Sequence, residues 1–508
     1  MRRSVTTLLK LISALDSRLP NMNFSAGVSN LTLVGGLTSV CVITRLIAIP
    51  ASLWEWDEIL FARALYRYDL SSHSPHPPGF PVFVFLARLA RLILRDDHRA
   101  LVSVAFIFGA CLTPALFYLF YEIFKNRQIA ATGALIGSFA PSVWIYSCAG
   151  RSDGPAFVLG IIAATLVLRG LTSQRSLWIG CAVLGVGLGV RVTLLPLVAP
   201  ALAIVLLTRL RRGEWRVALW AVLILALCIL VWFLPLIWHQ TWRVYNEMVN
   251  QHRQYIWQTD SMFATGANRN NIISYRLSRY FVDIWGAEWI MHTIYALAAL
   301  GMLALIIRRR WPALGWMLVI FVPYMAVSFA LNEPMGAALY SLPYIPFFAG
   351  LAACGAIMLP RLLVNAQRKP KLANIGALIA ITLAIALAAW SYPTIKMLHD
   401  QASPTLSAVR YLEKTLDPQR DLLVYDADYW PYVQHYLSGF RTLRRAEATP
   451  PLTGVTLVAG RANLVYLTAA PSSPSSTQHF NWQSEKGAPR LGRLSLARYE
   501  HVYVVRSN

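Results

Sequence analysis

Charged residues, and acidic residues above all, are scarce in this chain of 508 residues. Asp and Glu number 24 against 46 Lys and Arg, for a formal net charge of +22, while 14% of residues are charged and 56% are hydrophobic. A soluble multidomain protein carries far more charge, so that class is excluded. The basic residues stand in short connectors between apolar runs, which is typical of a multi-pass membrane protein and not of a nucleic-acid-binding domain.

Cysteine is also sparse. The six cysteines lie in or at the edge of apolar runs, and none lies beyond residue 393. They predict small buried side chains, with no disulfide framework and no metal spacing. The N-terminal apolar stretch is short and ends before Asp16, which disfavours a cleaved signal peptide and makes 31–50 the first membrane anchor.

The apolar runs predict about 11 membrane-spanning helices. Some runs are short for a bilayer that needs about 20 residues, but the distribution of charge between them requires all of them. The runs are 31–50, 99–121, 129–147, 155–169, 177–190, 193–208, 217–238, 287–307, 312–331, 338–359 and 373–392.

The apolar segment 79–95 is expected to lie in the membrane interface. Arg88, Arg91 and Arg95 are three and four residues apart, so they share one helical face opposite an apolar one, as interfacial helices do. Excluding this segment from the spans places the N-terminus and all basic connectors in the cytoplasm. The outer face then receives the loops 54–95, 149–155, 239–285 and 332–338, the hinge at Arg191 and the chain after 392.

The composition changes after the last apolar run, which divides the chain into a membrane domain, 1–393, and a small soluble α/β domain, 394–508, outside the membrane. In the tail we expect helices at 404–416 and 429–437 and a loop at 471–476. The expected strands are 422–425, 455–458, 463–467 and 501–505.

A cluster of carboxylates opens the first outer loop, directly after the first anchor. It consists of Glu55, Asp57 and Glu58. Mutual repulsion beside the bilayer raises the proton affinity of at least one of them, so Asp57 is a candidate general base for an acceptor hydroxyl. That role contributes about 10²–10⁴-fold to a rate. The alternative is that Asp57 only caps the amphipathic helix predicted at 58–68.

Two histidines follow in the same loop, His73 and His76. Together with Asp57 they are candidate ligands for a divalent metal ion, the only cofactor that the sequence suggests. Their spacing matches no known metal motif. The alternative is that His76 simply ends the loop before Pro77 and Pro78.

The second outer loop and a hinge between two short runs supply further candidates. Asp153 either caps the next helix or faces the same cavity as the first loop, and Arg151 stands two residues before it. Arg191, in the hinge, would be costly at a membrane without an anionic partner. A guanidinium can hold a phosphate through two hydrogen bonds, so a phosphate is a fitting partner.

These motifs resemble those of the GT-C superfamily of membrane glycosyltransferases, specifically the branch of protein O-mannosyltransferases and lipid A aminoarabinose transferases. The resemblance covers 31–393. It rests on Asp57-Glu58, His76-Pro77-Pro78-Gly79, Asp153, Gly189-Val190-Arg191 and the segment from Tyr340 to Pro346. The chain has Pro75-His76 where the aminoarabinose transferases have Glu-Lys, and Leu339 where relatives often have Arg, so another basic residue must serve there or the phosphate site differs.

The resemblance implies an all-α polytopic membrane fold with periplasmic juxtamembrane helices, in the inner membrane of a bacterium. It implies a sugar donor linked to polyprenyl phosphate, and transfer with inversion to a hydroxyl or phosphate of a lipid, glycan or protein acceptor on the outer side. Asp57 would be the general base, Glu58 and Asp153 its supports or metal contacts, and Arg191 the ligand of the donor phosphate. The other candidates for substrate binding are Arg151, His76 and Tyr340.

Two other classes compete with an enzyme. A transporter or flippase of a lipid-linked saccharide should show pseudo-repeated halves and ionisable residues at mid-membrane depth, whereas here the charges lie at the rims and no repeat is visible. A membrane scaffold that only displays the tail leaves the two acidic outer loops unexplained. The sequence therefore favours a glycosyltransferase.

Overall fold

The computed structural model describes residues 30–265, 271–363, 373–444, 463–468, 477–481 and 501–506. The N-terminal segment, the expected strand 455–458 and the expected loop 471–476 lie outside the described residues.

The described chain is mainly helical. The first helices are α1 (Asn30–Ile47), α2 (Trp56–Tyr66), α3 (Pro81–Leu94), α4 (Asp97–Ala110), α5 (Leu112–Phe124), α6 (Arg127–Phe139), α7 (Pro141–Tyr146), α8 (Asp153–Arg169), α9 (Gln174–Val190) and α10 (Leu195–Arg211). The later helices are α11 (Trp215–Gln240), α12 (Trp242–Tyr255), α13 (Ile273–Leu277), α14 (Glu288–Ile307), α15 (Trp311–Leu331), α16 (Ala337–Tyr340), α17 (Ile345–Leu363), α18 (Ala373–Asp400), α19 (Pro404–Thr415) and α20 (Trp430–Tyr436).

Every apolar run of the sequence is helical, which confirms a polytopic helical membrane protein. In the described part of the chain, 6 helices are long and apolar enough to cross a membrane, or up to 7 if the bent pair α16 and α17 is one span. Helix α11 exposes Leu227, Val231 and Leu234, as a helix that contacts lipid does. The predicted number of about 11 crossings stays a prediction.

Helices α14 and α17 cross at two glycines. A Cβ on Gly301 would lie 2.0 Å from the Leu351 carbonyl oxygen, and a Cβ on Gly355 would lie 2.0 Å from the Leu297 carbonyl oxygen. Only glycine permits backbones to approach so closely, as at the small-residue interfaces of membrane helices. This crossing holds the second half of the bundle together.

Basic connectors meet at one end of the bundle. Arg169 pairs with Glu122 at 2.5 Å, and Arg209 donates to the Gly170 carbonyl at 2.8 Å. Arg212 donates to the Leu171 carbonyl at 2.7 Å. Connectors that the charge pattern assigns to one side of the membrane are therefore neighbours in space.

Helix α3 has the two faces that the sequence predicts. Arg88 donates to the Ala64 carbonyl at 2.7 Å and Arg91 pairs with Asp97 at 2.6 Å, so both arginines contact protein. Leu92 and Ile93 are exposed. An apolar exposed face beside an arginine face fits a helix in the membrane interface.

The tail contains a mixed sheet, which confirms a small α/β region. Its strands, in the order β2-β1-β3-β5-β4, are β1 (Asp421–Tyr425), β2 (Thr442–Arg444), β3 (Asn463–Thr468), β4 (Thr477–Asn481) and β5 (His501–Arg506). Strand β1 is parallel to β2 and β3, whereas β5 is antiparallel to β3 and β4. Strands β2 and β4 were not expected from the sequence, because both are short and polar. The proposed boundary at 393/394 falls within α18.

Candidate active site

The carboxylate cluster lies at the start of α2. The helix begins at Trp56, two residues earlier than the sequence predicts, because Glu55 and not Asp57 is its N-cap. The Glu58 Oε2 atom accepts hydrogen bonds from the backbone N–H of Trp54 at 2.7 Å and of Glu55 at 2.9 Å. Glu58 thereby closes the first turn, and Asp57 is left to face other partners.

Glu58 also joins the two outer loops. Its Oε1 atom accepts from the Gly150 N–H at 2.5 Å, and its side chain is fully buried. Burial raises the pKa of Glu58, while hydrogen bonds from Glu55, Trp54 and Gly150 act in the opposite direction. Both oxygens of Glu58 are thus bonded to backbone, and its role as a support or a metal contact stays a prediction.

Arg151 is the centre of the site. Its Nη1 lies 2.8 Å from Glu55 Oε2, its Nη2 lies 2.5 Å from Asp57 Oδ2, and its Nε lies 3.1 Å from Asp153 Oδ2. The side chain is 3% exposed. Three carboxylates from two separate loops surround its guanidinium, and its role as a substrate ligand stays a prediction.

Arg191 extends this ion network, defined here as Glu55, Asp57, Arg151, Asp153 and Arg191. Its Nη2 lies 3.1 Å from Asp153 Oδ1, and its Nη1 donates to Ser152 Oγ at 3.0 Å. The guanidinium also lies over the Phe80 ring, 5.4 Å from its centroid. The anionic partner that an arginine needs at this depth is thus Asp153, and the network alternates in sign from Asp57 to Arg191.

A small crevice lies beside the far end of the network. Asp153 and Arg191 line it, together with Thr193, Tyr324 and Leu339. Tyr324 is a residue that sequence reasoning missed, because it stands in an uninterrupted apolar run. The crevice places a cation and an aromatic hydroxyl at one opening.

His76 lies against Asp57. Its Nδ1 is buried and lies 3.8 Å from Asp57 Oδ1, and it has no hydrogen-bond partner within the described part of the chain. The ring packs on Phe80, with centroids 4.7 Å apart, and faces His252 at 6.0 Å. Burial lowers the pKa of His76 to about 4, so the ring is neutral at physiological pH. His252, from the loop 239–285, therefore lies beside His76.

The described residues contain no group of three or more His, Cys, Asp or Glu arranged to hold a metal ion. His73, a candidate ligand with Asp57 and His76, lies edge-on to Trp430 with centroids 6.3 Å apart. The described site is therefore the ion network with His76 beside it.

Tyr340 is the last residue of α16 and lies near Arg191, Asp57 and Arg151. Its backbone carbonyl accepts from Ser328 Oγ at 3.1 Å. The structure therefore brings Asp57, Glu58, His76, Arg151, Asp153, Arg191 and Tyr340 to one end of the bundle.

Arg276 lies outside the network although its loop is rich in arginine. It is fully buried and donates to the backbone carbonyls of Phe329, Asp260 and Asn332. These bonds fix the turn that leads to Tyr340, so Arg276 has a structural role. Arg191, in contrast, lines the crevice.

Known proteins resemble this chain in part of its sequence and in its fold. Residues 75–239 match the family model of dolichyl-phosphate-mannose-protein mannosyltransferases. No curated protein matches the chain in sequence.

The fold is similar to two crystal structures of ArnT from Cupriavidus metallidurans. The apo structure has a TM-score of 0.54 and 12% identity, over 93% of this chain and 97% of that one. The structure bound to undecaprenyl phosphate has a TM-score of 0.53 and 12% identity, over 94% of this chain and 98% of that one. At such low identity the likeness concerns the fold, and it extends over nearly the whole of both chains.

Proposed function

We propose that this chain, which has the GT-C fold of membrane glycosyltransferases, is an inverting glycosyltransferase. Its donor would be a sugar linked to polyprenyl phosphate, and its acceptor a hydroxyl or phosphate of a lipid, glycan or protein on the outer side of the membrane. The family match to mannosyltransferases and the ArnT structure with undecaprenyl phosphate support a donor of this class.

The observation that carries the proposal is the ion network, because it joins a candidate base to a candidate phosphate ligand. Asp57 Oδ2 is held by Arg151, and Asp57 Oδ1 faces His76. At the other end, Arg191 lines the crevice with Asp153. An inverting transfer needs a base on one side of the anomeric carbon and positive charge at the leaving group on the other.

The chemistry follows from these positions. The acceptor oxygen forms a bond to the anomeric carbon while its proton passes to Asp57. The bond from that carbon to the phosphate oxygen breaks, and its electron pair stays on the lipid phosphate. Arg191 stabilises the resulting negative charge. Since the two groups act on opposite sides of the carbon, the configuration inverts.

In this proposal Arg151 and Glu58 hold Asp57 and the start of α2 in position. Arg151 holds the Asp57 carboxylate through one oxygen, and Glu58 fixes the start of α2 and the Gly150 turn. Tyr340 and His76 are proposed as substrate contacts at the rim of the network. A base held by packed neighbours loses less entropy on reaction.

The proposed orientation has a cytoplasmic N-terminus and a periplasmic soluble domain in a bacterial inner membrane. The basic connectors at the opposite end of the bundle, with Arg169, Arg209 and Arg212, support it. The site would then face the periplasm.

The test compares membranes with and without the gene by mass spectrometry of lipids and proteins, to find an acceptor that loses a sugar. Asp57→Asn should abolish that modification, by about 10²–10⁴-fold, while the protein inserts and folds. Asp69→Asn is the matched control, since Asp69 lies in the same loop and bonds Ser71. Full modification by Asp57→Asn would contradict the proposal.

A further inference from the structure

We infer that the C-terminal segment 398–436 positions the carboxylates of α2, so that the tail is part of the catalytic geometry. This inference rests on the proposed role of Asp57 as the base. We call this segment the strap; it consists of the end of α18, the linker, α19, β1 and α20.

The strap bonds the backbone that leads into α2. The Leu398 carbonyl accepts from the Ala51 N–H at 2.8 Å, and the Ser403 N–H donates to Ser52 Oγ at 2.8 Å. Ser403 Oγ donates to the Leu53 carbonyl at 3.2 Å. Residues 49–55 form no helix or strand of their own, so the partners of their backbone groups determine their position.

Tyr432 makes the contact closest to the acids. Its hydroxyl donates to the Trp54 carbonyl at 3.0 Å, and both side chains are buried. The Trp54 N–H in turn donates to Glu58 Oε2 at 2.7 Å. A single residue, Trp54, therefore connects the strap to the carboxylate that closes the first turn of α2.

The strap then follows α2 along its length. Trp430 packs on Trp56, with ring centroids 6.2 Å apart, and lies 4.7 Å from the Arg63 guanidinium. Near the end of α2, the ring of His435 lies 6.1 Å from that of Tyr66. Trp56 and Arg63 are about two helical turns apart, so the contact fixes both the start and the direction of the helix.

The position of α2 matters because Asp57 is its second residue. Arg151 holds Glu55 and Asp57, Glu58 bonds the backbone before the helix, and the strap contacts the same helix through Trp430 and Tyr432. A misplacement of about 1 Å in a catalytic group can cost on the order of 10²-fold in rate. Ser403, Trp430 and Tyr432 touch no reacting atom, so we assign these three strap residues as positioning residues.

The experiment uses the full-length protein with Tyr432→Phe, Ser403→Ala and both changes together. Tyr411→Phe is the matched control, because Tyr411 lies in the same domain and packs on Phe480. Three quantities are measured: amide hydrogen exchange over 49–66, binding of undecaprenyl phosphate by native mass spectrometry, and the modified acceptor found by the gene-deletion comparison.

If the strap positions α2, Tyr432→Phe should raise amide hydrogen exchange over 49–66 by about 2- to 10-fold. It should lower the amount of modified acceptor by about 5- to 30-fold. The double variant should show larger effects on both. Binding of undecaprenyl phosphate should stay within about two-fold of wild type, since the crevice beside Arg191 is untouched. A variant that merely unfolds would lose both the binding of undecaprenyl phosphate and the modification of the acceptor. Tyr411→Phe should change none of the three quantities.

Unchanged exchange over 49–66 would overturn the inference, and so would faster exchange with full modification. Failure of the proposed function has a different signature, since Asp57→Asn would then keep the modification. In that case the exchange result still reports on the contact between the strap and α2.

Discussion

Arg151 Nη2 lies 2.5 Å from Asp57 Oδ2, although 94 residues separate the two in sequence. The same guanidinium holds Glu55 and Asp153, so one cation neutralises acids from two loops. These contacts join the two loops into one ion network, so the stability of the site and its proposed chemistry depend on the same residues.

Replacing Arg151 should destabilise the protein strongly. Arg151→Met removes the cation that Glu55, Asp57 and Asp153 share, which costs about 3–5 kcal/mol. Arg151→Lys keeps the charge but cannot bond three carboxylates in one plane, so we expect an intermediate loss. Thermal unfolding in detergent measures both. Arg169→Lys, at the opposite end of the bundle, is the control and should change little; equal melting temperatures for wild type and Arg151→Met would refute the central role of Arg151.

Arg191→Gln should weaken binding of undecaprenyl phosphate by about 10- to 100-fold, because a charge-assisted contact to the phosphate is lost. Asp153 keeps Arg151 as a partner in this variant, so the fold should survive. Native mass spectrometry with undecaprenyl phosphate gives the affinity, and Arg169→Gln is the control. Wild-type affinity in Arg191→Gln would remove Arg191 from the phosphate site.

The stability of the protein should fall as the pH drops from about 6.5 to about 4, in part because of His76. The folded-state pKa of His76 is lowered by burial to about 4, whereas the unfolded chain titrates near 6.5. The unfolded state therefore binds more protons between these values, which costs at most about 3 kcal/mol at the lower end. Asp57 opposes this shift, while His252, Arg191 and Arg151 add to it.

His76→Gln tests this dependence. Melting temperatures from pH 7 to pH 4.5 should decline less steeply in His76→Gln than in wild type. His252 and His73 also have lowered pKa values through burial, so part of the slope should persist. His292→Gln, an exposed histidine on α14, should leave the wild-type slope intact. Identical slopes for wild type and His76→Gln would show that His76 is not buried as described.

Gly355→Ala should destabilise the bundle by about 1–3 kcal/mol, because its Cβ would overlap the Leu297 carbonyl. Gly301→Ala should do the same from the other helix. Gly315→Ala is the control, since no atom lies within 4 Å of a Cβ there. Melting temperatures in detergent distinguish the three. A Gly355→Ala protein as stable as Gly315→Ala would argue against the close crossing of α14 and α17.

The sequence determined the helices and the identity of the acids. A run such as Trp215–Gln240 is helical because a long apolar segment in lipid must bond its own backbone, and that requirement is local. The cluster Glu55, Asp57 and Glu58 was visible because acids are rare here and these three directly follow an anchor. The small α/β tail was visible for the same kind of reason, since alternation of apolar and polar residues is a local pattern.

Only the tertiary structure decided how these residues meet. Arg151 could not be recognised as the partner of Glu55, Asp57 and Asp153, because a salt bridge depends on the distance between segments and no local pattern encodes that distance. Tyr432 reaches the Trp54 carbonyl from a domain that the sequence treats as separate. His73, which the sequence groups with His76, packs edge-on to Trp430, a contact between distant segments that no local pattern encodes.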